Sequence, residues 1–237
     1  MRLHRFYVQT PISGDTFDIT DRDMVHQWKH VFRYNVGSQV ILFDGSGIDY
    51  LCMISSIRNL GATVKILSKK TQPSPEAIAG KKNIWLAVAL IKKDNFDLVV
   101  QKATELGISN IVPIICEHSE KRKLNLERMK KIAIESSEQS GRGDIPVIHP
   151  TTTIPDLFAS GILPQEKMIF DPKGLPFEQY KNSTQAGSFT AFIGPEGGFS
   201  DKEIALFRSF NVPVVSVGSQ ILRTETAAIV VSALLLL

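Results

Sequence analysis

The sequence predicts an α/β protein in which a larger C-terminal domain with a parallel sheet follows a small domain of short strands. Residues 84–90 and 111–116 are continuous apolar runs of strand length, and residues 94–106 between them place apolar side chains on one helical stripe. A strand, a helix and a strand in this order form a βαβ unit, which pairs its strands in parallel. Three short β-prone runs precede this unit, at residues 39–43, 50–54 and 62–67.

A polar segment at residues 69–83 separates the two regions. It carries Pro73 and Pro75 and has no hydrophobic period, as is typical of linkers. We therefore predict domains at residues 1–72 and 73–237. The first holds nine Lys and Arg against six Asp and Glu, and the second holds eighteen of each, so the whole excess of +3 lies in the first. This placement is compatible with a polyanionic partner, although so small an excess also suits a protein without one.

Cysteine usage and the apolar runs predict a cytoplasmic protein with no structural metal and no membrane contact. Cys52 and Cys116 form no CxxC pair, and no cluster of His and Cys has zinc spacing. No apolar signal segment follows the N-terminal residues. The apolar run 226–237 is twelve residues long, whereas a membrane-spanning helix needs about 20. We therefore expect it to form a buried core or interface helix.

Two loops that follow predicted strands are the candidate ligand-binding elements. The first, IGPEGGFSDKE at residues 193–203, follows a strand at 189–193 and leads into a helix start at which Ser200 and Glu203 can form a capping box. The second, VGSQILRTETA at residues 217–227, follows a strand at 213–217 and precedes the last helix. Glycine allows the backbone to approach a ligand closely, and open α/β sheets bind ligands at the carboxyl ends of their strands.

The ordinary phosphate-binding motifs are absent from these loops. There is no GxxxxGK[ST], and no GxGxxG opens a βαβ unit. A nucleoside cofactor without phosphate fits better, because backbone N–H and C=O groups can bind an adenine edge while Ile221 and Leu222 cover its face. Residues 44–47, Asp-Gly-Ser-Gly, invite comparison with the acidic loop of Rossmann-like methyltransferases. They join two short strands with no helix after them, so we interpret them as a hairpin turn.

Several segments of the chain together resemble the RsmE family, bacterial 16S rRNA uridine-N3 methyltransferases of the SPOUT superfamily. In the larger domain these are the two loops above with QKATELGISNIVPI (101–114) and ESSEQSGRGDIP (135–146). In the small domain HRFYV (4–8), HVFR (30–33) and ILFDGSG (41–47) are similar to the family's N-terminal PUA-like RNA-binding barrel. The resemblance spans essentially the whole chain. It departs at Phe32, where the family usually has leucine, and at Gln220, where arginine is common.

This resemblance implies both a fold and an activity. The fold is a SPOUT-type α/β domain with a trefoil-knotted parallel sheet, preceded by a PUA-like β-barrel, in an obligate homodimer. The implied reaction uses S-adenosylmethionine to methylate N3 of a uridine in the decoding region of 16S rRNA, in the assembled small ribosomal subunit. That reaction needs alignment of the two atoms, loss of the N3 proton and a base that is unpaired or flipped.

The resemblance also implies site residues at the two loops. Arg223 is expected to stabilise the uracil or its phosphate; the alternative is a helix-start arginine paired with Glu225. Gln139 and Arg142 are expected to reach the uridine from the partner subunit, and the alternative for both is helix capping. The expected cofactor contacts are Phe170, Ile193, Gly194, Pro195, Glu196, Gly198, Val217, Gly218, Ile221, Leu222, Thr226 and Ala227. Glu196 could act as a base, bind ribose hydroxyls or fix the loop through backbone N–H groups, and we favour the structural role.

The expected RNA contacts lie in the small domain, where cationic and aromatic side chains alternate. Because stacking and charge occur together there, this stretch favours RNA over a plain charged surface. The cationic members are Arg2, Arg5, Lys29, His30 and Arg33. A second basic set, Lys121, Arg122, Lys123, Arg128, Lys130 and Lys131, is more typical of a solvated helix face, although phosphate contact would suit it. His26 and His30 have helical spacing but no third ligand, so we predict no metal site.

Two alternatives to the uridine-N3 enzyme stay open at this point. A non-catalytic RNA-binding factor in ribosome assembly would be marked by degraded GPEGG or LRTETA loops, and both are intact. A SPOUT enzyme that methylates a ribose 2′-oxygen is distinguished by its product, since only an N3 methyl stays with the base after glycosidic cleavage.

Overall fold

The computed structural model describes residues 3–58, 60–71, 82–120, 123–180 and 187–236, and these form two compact units. The first unit comprises residues 3–58 and 60–71 together with the segment 137–144. The second comprises residues 82–120, 123–136, 145–180 and 187–236. The domain boundary predicted between residues 72 and 73 lies outside the described residues. The return of 137–144 to the first unit was not predicted, because local sequence patterns do not report long-range contacts.

The first unit is built on a mixed five-stranded sheet. Its elements are β1 (Arg5–Tyr7), β2 (Thr16–Ile19), α1 (Arg22–His26) with a π-helical turn at Gln27–Val31, β3 (Gln39–Phe43), β4 (Ile48–Ile57) and β5 (Ala62–Thr71). The strand order is β1-β3-β4-β5-β2, with β1 parallel to β3 and the other neighbours antiparallel. Closure of this sheet into a barrel stays a prediction. Trp28, Val40, Leu42 and Ile54 lie fully buried in its core.

The hairpin predicted at residues 44–47 is confirmed, since it joins the antiparallel strands β3 and β4. Gly45 and Gly47 have φ of 86° and 79°, which only glycine adopts readily. The carboxylate of Asp44 accepts the backbone N–H groups of Ser46 and Ile12. The short strands β1 and β2 were not predicted, because three or four residues give too little alternation for a pattern to register.

The second unit is a parallel sheet with helices, as the βαβ pattern predicts. Its strands are β6 (Asn83–Ala89), β7 (Asn110–Ile115), β8 (Val147–Ile148), β9 (Thr152–Thr153), β10 (Glu166–Pro176), β11 (Ser188–Ile193) and β12 (Val214–Ser216). Its helices are α2 (Lys93–Leu106), α3 (Leu126–Ser140), α4 (Ile154–Ala159), α5 (Asp201–Ser209) and α6 (Thr224–Leu236), of which α3 ends in the segment assigned to the first unit. The strand order is β12-β10-β11-β6-β7-β8, with β9 also beside β7, and every pairing is parallel. The trefoil knot stays a prediction.

Local sequence signals account for the helix ends in this unit. Helix α2 stops at Gly107, whose φ of 106° lets its N–H reach back to the carbonyls of Ala103 and Thr104. Helix α5 begins with the predicted capping box, in which the Ser200 hydroxyl accepts the Glu203 N–H and the Glu203 carboxylate accepts the Ser200 N–H.

Helix α6 contains residues 226–236 of the apolar C-terminal run. Ala228, Val231, Ser232 and Leu235 form its buried face, and Leu234 on another face is 44% exposed. Across the described ranges we find no helix with the length and apolar character that a bilayer crossing requires. The predicted core helix is therefore confirmed, and its exposed apolar side chains remain open to an interface.

Arg5 does not have the exposed position expected of an RNA contact. Its side chain is only 7% exposed and pairs with Asp49 at 2.6 Å. The same guanidinium donates to the carbonyl oxygens of Ser137 and Arg142 at 3.0 and 3.1 Å, and it stacks on the ring of Phe43. These contacts bind the segment 137–144 to the first unit, so we correct the expected role of Arg5 from RNA binding to structure.

Replacement of Arg5 by methionine should lower the free energy of unfolding by ~3 kcal/mol, because it removes the 2.6 Å ion pair that Arg5 makes with the buried carboxylate of Asp49. Arg22→Met is the matched control, since Arg22 is exposed at the start of α1 and its loss should change stability by less than ~0.5 kcal/mol. Urea unfolding followed by circular dichroism measures both. Equal stabilities for the two variants would contradict the structural role of Arg5.

Candidate functional site

The two predicted loops meet at the carboxyl ends of neighbouring strands. Strand β10 pairs with β11 on one side and β12 on the other, so the loops that leave β11 and β12 emerge from the same edge of the sheet. The hydroxyl of Thr224, the first residue of α6, donates to the carbonyl oxygen of Gly194 at 2.9 Å. This hydrogen bond joins the two loops directly and makes them one candidate site.

Glycines in the first loop are required by close packing. A Cβ added to Gly194 would lie 3.1 Å from ring atoms of Phe199, and one added to Gly197 would lie 3.0 Å from Cβ of His118. Gly198 has a φ of 72°, and its N–H donates to the carbonyl of Pro195 at 2.8 Å. The loop is therefore a tight turn in which glycine lets the backbone pack closely against Phe199 and His118.

A third loop, which follows β7, holds the GPEGG turn in place. Nδ1 of His118 lies 3.1 Å from the carbonyl oxygen of Gly198. The backbone N–H of Glu117 donates to Oε1 of Glu203 at 2.9 Å, while Oε2 of Glu203 accepts the N–H of Ser200. Sequence reasoning identified Glu203 as a capping residue but missed this second contact, because Glu117 lies 86 positions away.

The second loop presents apolar and cationic side chains together. Ile221 is 85% exposed, Leu222 is half-buried, and Arg223 is exposed. Gly218 has a φ of 154°, and its carbonyl accepts the hydroxyl of Ser216 at 2.8 Å. An isoleucine this exposed next to a glycine turn is a ready apolar surface for a planar ligand.

Glu225 carries a buried carboxylate in the first turn of α6. The residue is 8% exposed, and its Oε2 is buried without a hydrogen-bond partner among the described residues. The alternative prediction, an ion pair between Arg223 and Glu225, is not formed. A buried acceptor without a donor costs about 1–3 kcal/mol, so this oxygen is positioned to receive a donor from outside the chain. The spacing of residues in the sequence does not indicate that the carboxylate of Glu225 is buried.

The remaining expected cofactor contacts surround the same loops, although two belong to the core. Phe170 and Ile193 are buried, at 8% and 1% exposure, and lie opposite each other in the pairing of β10 with β11, so both belong to the core of the sheet. The others are buried Pro195, half-buried Val217 and Ala227, and exposed Glu196 and Thr226.

Arg142 is held more tightly than expected of a residue that contacts substrate. Its side chain is 8% exposed and forms a paired contact with Asp144, from Nε to Oδ1 at 2.8 Å and from Nη2 to Oδ2 at 3.0 Å. Its carbonyl oxygen accepts the guanidinium of Arg5. Gln139 is exposed near the end of α3, in the segment assigned to the first unit.

The small unit keeps part of the expected RNA surface. His30 and Arg33 are exposed and Lys29 is half-buried, while Arg2 lies outside the described residues. The ring of Phe32 stacks on Tyr34 with centroids 5.4 Å apart and lies 4.3 Å from His4. All three rings are partly exposed, so an aromatic surface does accompany the cations, though Phe6 and Trp28 are in the core. The rings of His26 and His30 adjoin, and the described part of the chain contains no group of three metal-binding side chains.

Family models match both units. The model described as an RNA methyltransferase domain matches residues 79–236, and the model described as an RNA methyltransferase PUA domain matches residues 29–67. The match at residues 29–67 therefore supports a PUA-like small domain independently of the short motifs.

Solved structures resemble this one over nearly their whole length. A methyltransferase from Legionella pneumophila, solved in complex with its bound cofactor SAM, has a TM-score of 0.87 and 28% identity, over 99% of this chain and 97% of that one. The ribosomal RNA small subunit methyltransferase E of Neisseria gonorrhoeae, bound to S-adenosyl methionine, has a TM-score of 0.86 and 28% identity, over 98% and 96%.

Curated relatives agree with the structural comparison. The ribosomal RNA small subunit methyltransferase E of Bacillus subtilis is 27% identical, over 90% of this chain and 86% of its own length. The enzyme of that name from Rickettsia conorii is 32% identical, over 97% of this chain and 93% of its own length. Similarity of this extent, together with the match of the methyltransferase domain, shows that the chain belongs to the ribosomal RNA small subunit methyltransferase E (RsmE) family.

Proposed function

We propose that this protein is a homodimeric, cytoplasmic enzyme that transfers a methyl group from S-adenosylmethionine to N3 of a uridine in the decoding region of 16S rRNA, in the assembled small ribosomal subunit. The observation that carries the proposal is the Thr224–Gly194 hydrogen bond, which unites two glycine-containing loops at the carboxyl edge of the sheet. The Neisseria gonorrhoeae enzyme and the Legionella pneumophila protein, which share this fold, were both solved with S-adenosylmethionine bound.

The residues of the site fit this cofactor. Gly194 and Gly197 let the first loop pack closely against Phe199 and His118, which fixes the position of the backbone that the cofactor would contact. The exposed side chain of Ile221 suits the face of an adenine ring, and the buried Oε2 of Glu225 suits a hydroxyl or ammonium donor. When bound, S-adenosylmethionine supplies a methyl group activated by a sulfonium.

Arg223 is the residue that we assign to the uridine. Its guanidinium is exposed at the end of the second loop and forms no ion pair with the described residues. N3 of uridine becomes a nucleophile as its proton leaves, and the negative charge that develops on the uracil is stabilised by a fixed cation. Arg223 supplies that cation without a competing carboxylate partner.

Gln139 and Arg142 contribute to the proposal in different ways. Gln139 is exposed and is assigned to contact with the target uridine across the dimer. Arg142 is bound to Asp144 through two hydrogen bonds, so we assign it to fixing the turn that follows Gln139. The apolar face of α6 that carries Leu234 is assigned to the dimer interface.

RNA binding is assigned to the small unit as well. Lys29 and Arg33 supply positive charge, His30 supplies a further polar ring, and the rings of Phe32 and Tyr34 supply a stacking surface. Single-stranded RNA is bound by this combination, because stacking tolerates any base and cations follow the backbone. The PUA domain match at residues 29–67 covers all five side chains.

The experiment that tests this function is transfer of labelled methyl groups to small ribosomal subunits from a strain that lacks the gene. Nucleoside mass spectrometry should find the label as 3-methyluridine in 16S rRNA. Label in a ribose-methylated nucleoside would instead identify a 2′-O-methyltransferase. Tight binding to subunits without any transfer would identify an assembly factor.

Replacement of Gly194 by alanine should weaken cofactor binding by about tenfold, because the new methyl group approaches the Phe199 ring to 3.1 Å and displaces the loop. Isothermal titration with S-adenosylmethionine measures the change. Gly187→Ala is the matched control, since a Cβ there meets no atom within 4 Å. Unchanged affinity in the Gly194 variant would show that the loop does not contact the cofactor.

Replacement of Arg223 by alanine should lower kcat by about 10²–10³, since one preformed electrostatic contact to the transition state is lost. Binding of S-adenosylmethionine should persist, because the backbone of the second loop is retained. Arg208→Ala removes an exposed arginine from α5 and should leave kcat unchanged. A full-rate Arg223 variant would remove this residue from the mechanism.

A further inference from the structure

A cavity of about 450 Å³ lies in the second unit between the beginnings of α2 and α3. Its apolar wall is formed by Ile91, Leu124 and Met129, of which Ile91 and Met129 are 1% exposed. Its polar wall includes Lys93, Lys123 and Arg128. The volume is within the range of small-molecule sites, ~300–1,000 Å³.

The cavity wall carries two lysines that are open to a ligand. Arg128 is paired with Asp97, whose Oδ2 accepts Nε at 2.9 Å and Nη2 at 2.6 Å, and the carboxylates of Asp94 and Glu135 also act on Arg128. Lys93 and Lys123 are exposed, and neither forms an ion pair with the described residues. These two ammonium groups beside a buried apolar wall favour a ligand with an anionic part and an apolar part.

The cavity lies along the edge of the sheet that carries the candidate site. Ile91 follows β6 by two residues, and Val88 near the end of β6 is paired with Ile193 at the end of β11. Gly194 of the cofactor loop comes next along the chain. Because the strands are parallel, the turns that leave β6 and β11 emerge at the same edge.

We infer that this cavity binds one unstacked nucleotide of the RNA substrate, with its base on the apolar wall and its phosphate on Lys93 and Lys123. This inference depends on the proposed function, because it takes RNA as the substrate. Proteins that read RNA commonly hold unstacked bases against side chains, and phosphates are bound by lysine. A nucleotide next to the target becomes available when the target base leaves its stack.

The second basic set, which the sequence suggests is a solvated helix face, divides into residues that line the cavity and residues that do not. Lys123 and Arg128 line the cavity, whereas Lys130 is exposed and pairs with Glu127 at 2.9 Å. Lys131 is exposed and does not line the cavity. Lys130 and Lys131 on α3 therefore offer a control that is matched in charge and lies outside the cavity.

The test compares the double variant K93Q/K123Q with K130Q/K131Q, since each removes two positive charges. Affinity for small ribosomal subunits is measured over a salt series. The cavity variant should bind about tenfold more weakly at low salt, and its slope of log K against log [salt] should fall by about 1.4–1.8, the contribution of two phosphate contacts. The control should keep the wild-type slope. Equal losses in the two variants would overturn the inference.

A cross-link identifies the occupant of the cavity. Leu124 is half-buried in the cavity wall, so a photoreactive benzoylphenylalanine at this position reports what enters. Attachment to one nucleotide of 16S rRNA is expected when subunits are bound. Attachment to a ribosomal protein, or to scattered nucleotides, would contradict a nucleotide site.

Two further measurements distinguish failure of this inference from failure of the proposed function. Cofactor affinity, measured by titration, should be the same in the cavity variant and the wild type. If wild-type protein methylates 16S rRNA and the cavity variant matches its control in every assay, the inference alone fails. If wild-type protein transfers no methyl group to 16S rRNA, the proposed function fails, whatever the cavity binds.

Discussion

The parallel pairing of β11 with β10 and β6, and of β10 with β12, is the constraint on which the site depends. Parallel strands bring their carboxyl ends to one edge, so loops far apart in the sequence leave the sheet side by side. The hydrogen bond between Thr224 and Gly194 then fixes the two loops to each other. Helix α6 begins at that bond, so its first turn belongs to the site and the rest of it to the core.

Around the Thr224–Gly194 hydrogen bond, some residues hold the loops in place, while others carry groups that have no partner among the described residues. His118 and Glu117 hold the GPEGG turn from outside, and Glu203 serves the turn and the helix start together. Glu225, by contrast, leaves a buried oxygen without a donor, and Ile221 leaves an apolar side chain in solvent. Each of these features costs stability in the free protein, and a ligand that covers Ile221 and donates to Glu225 would offset that cost.

The sequence predicted the elements with strong local signals. The helix end at Gly107, the capping box at Ser200 and the alternation of strands and helices all depend on residues close together in the chain. Arg5 was misassigned because its partners Asp49, Ser137 and Arg142 are distant in sequence, and an arginine among aromatics looks the same whether it is buried or exposed. The buried state of Glu225 and the contact of Glu117 with Glu203 have the same long-range origin.

The family resemblance supplied what local physics did not. Neither the spacing of glycines nor the hydrophobic period identifies S-adenosylmethionine or a uridine, and the two loops alone indicate only a ligand without phosphate-binding motifs. Family membership reduces the number of candidate ligands. The geometry then supports the roles that we propose for individual residues of this chain. The same holds for the small unit. Its charged and aromatic residues suggest RNA binding, and the match to the PUA domain model supports that interpretation.

The most direct test of the joined-loop site is a crystal structure of this protein with S-adenosylhomocysteine, the product form of the proposed cofactor. The account predicts that the ligand contacts the backbone of residues 194–198 and of residues 217–222 together, with a hydrogen-bond donor on Oε2 of Glu225. A ligand bound elsewhere, or one that touches a single loop and leaves Glu225 without a donor, would contradict it.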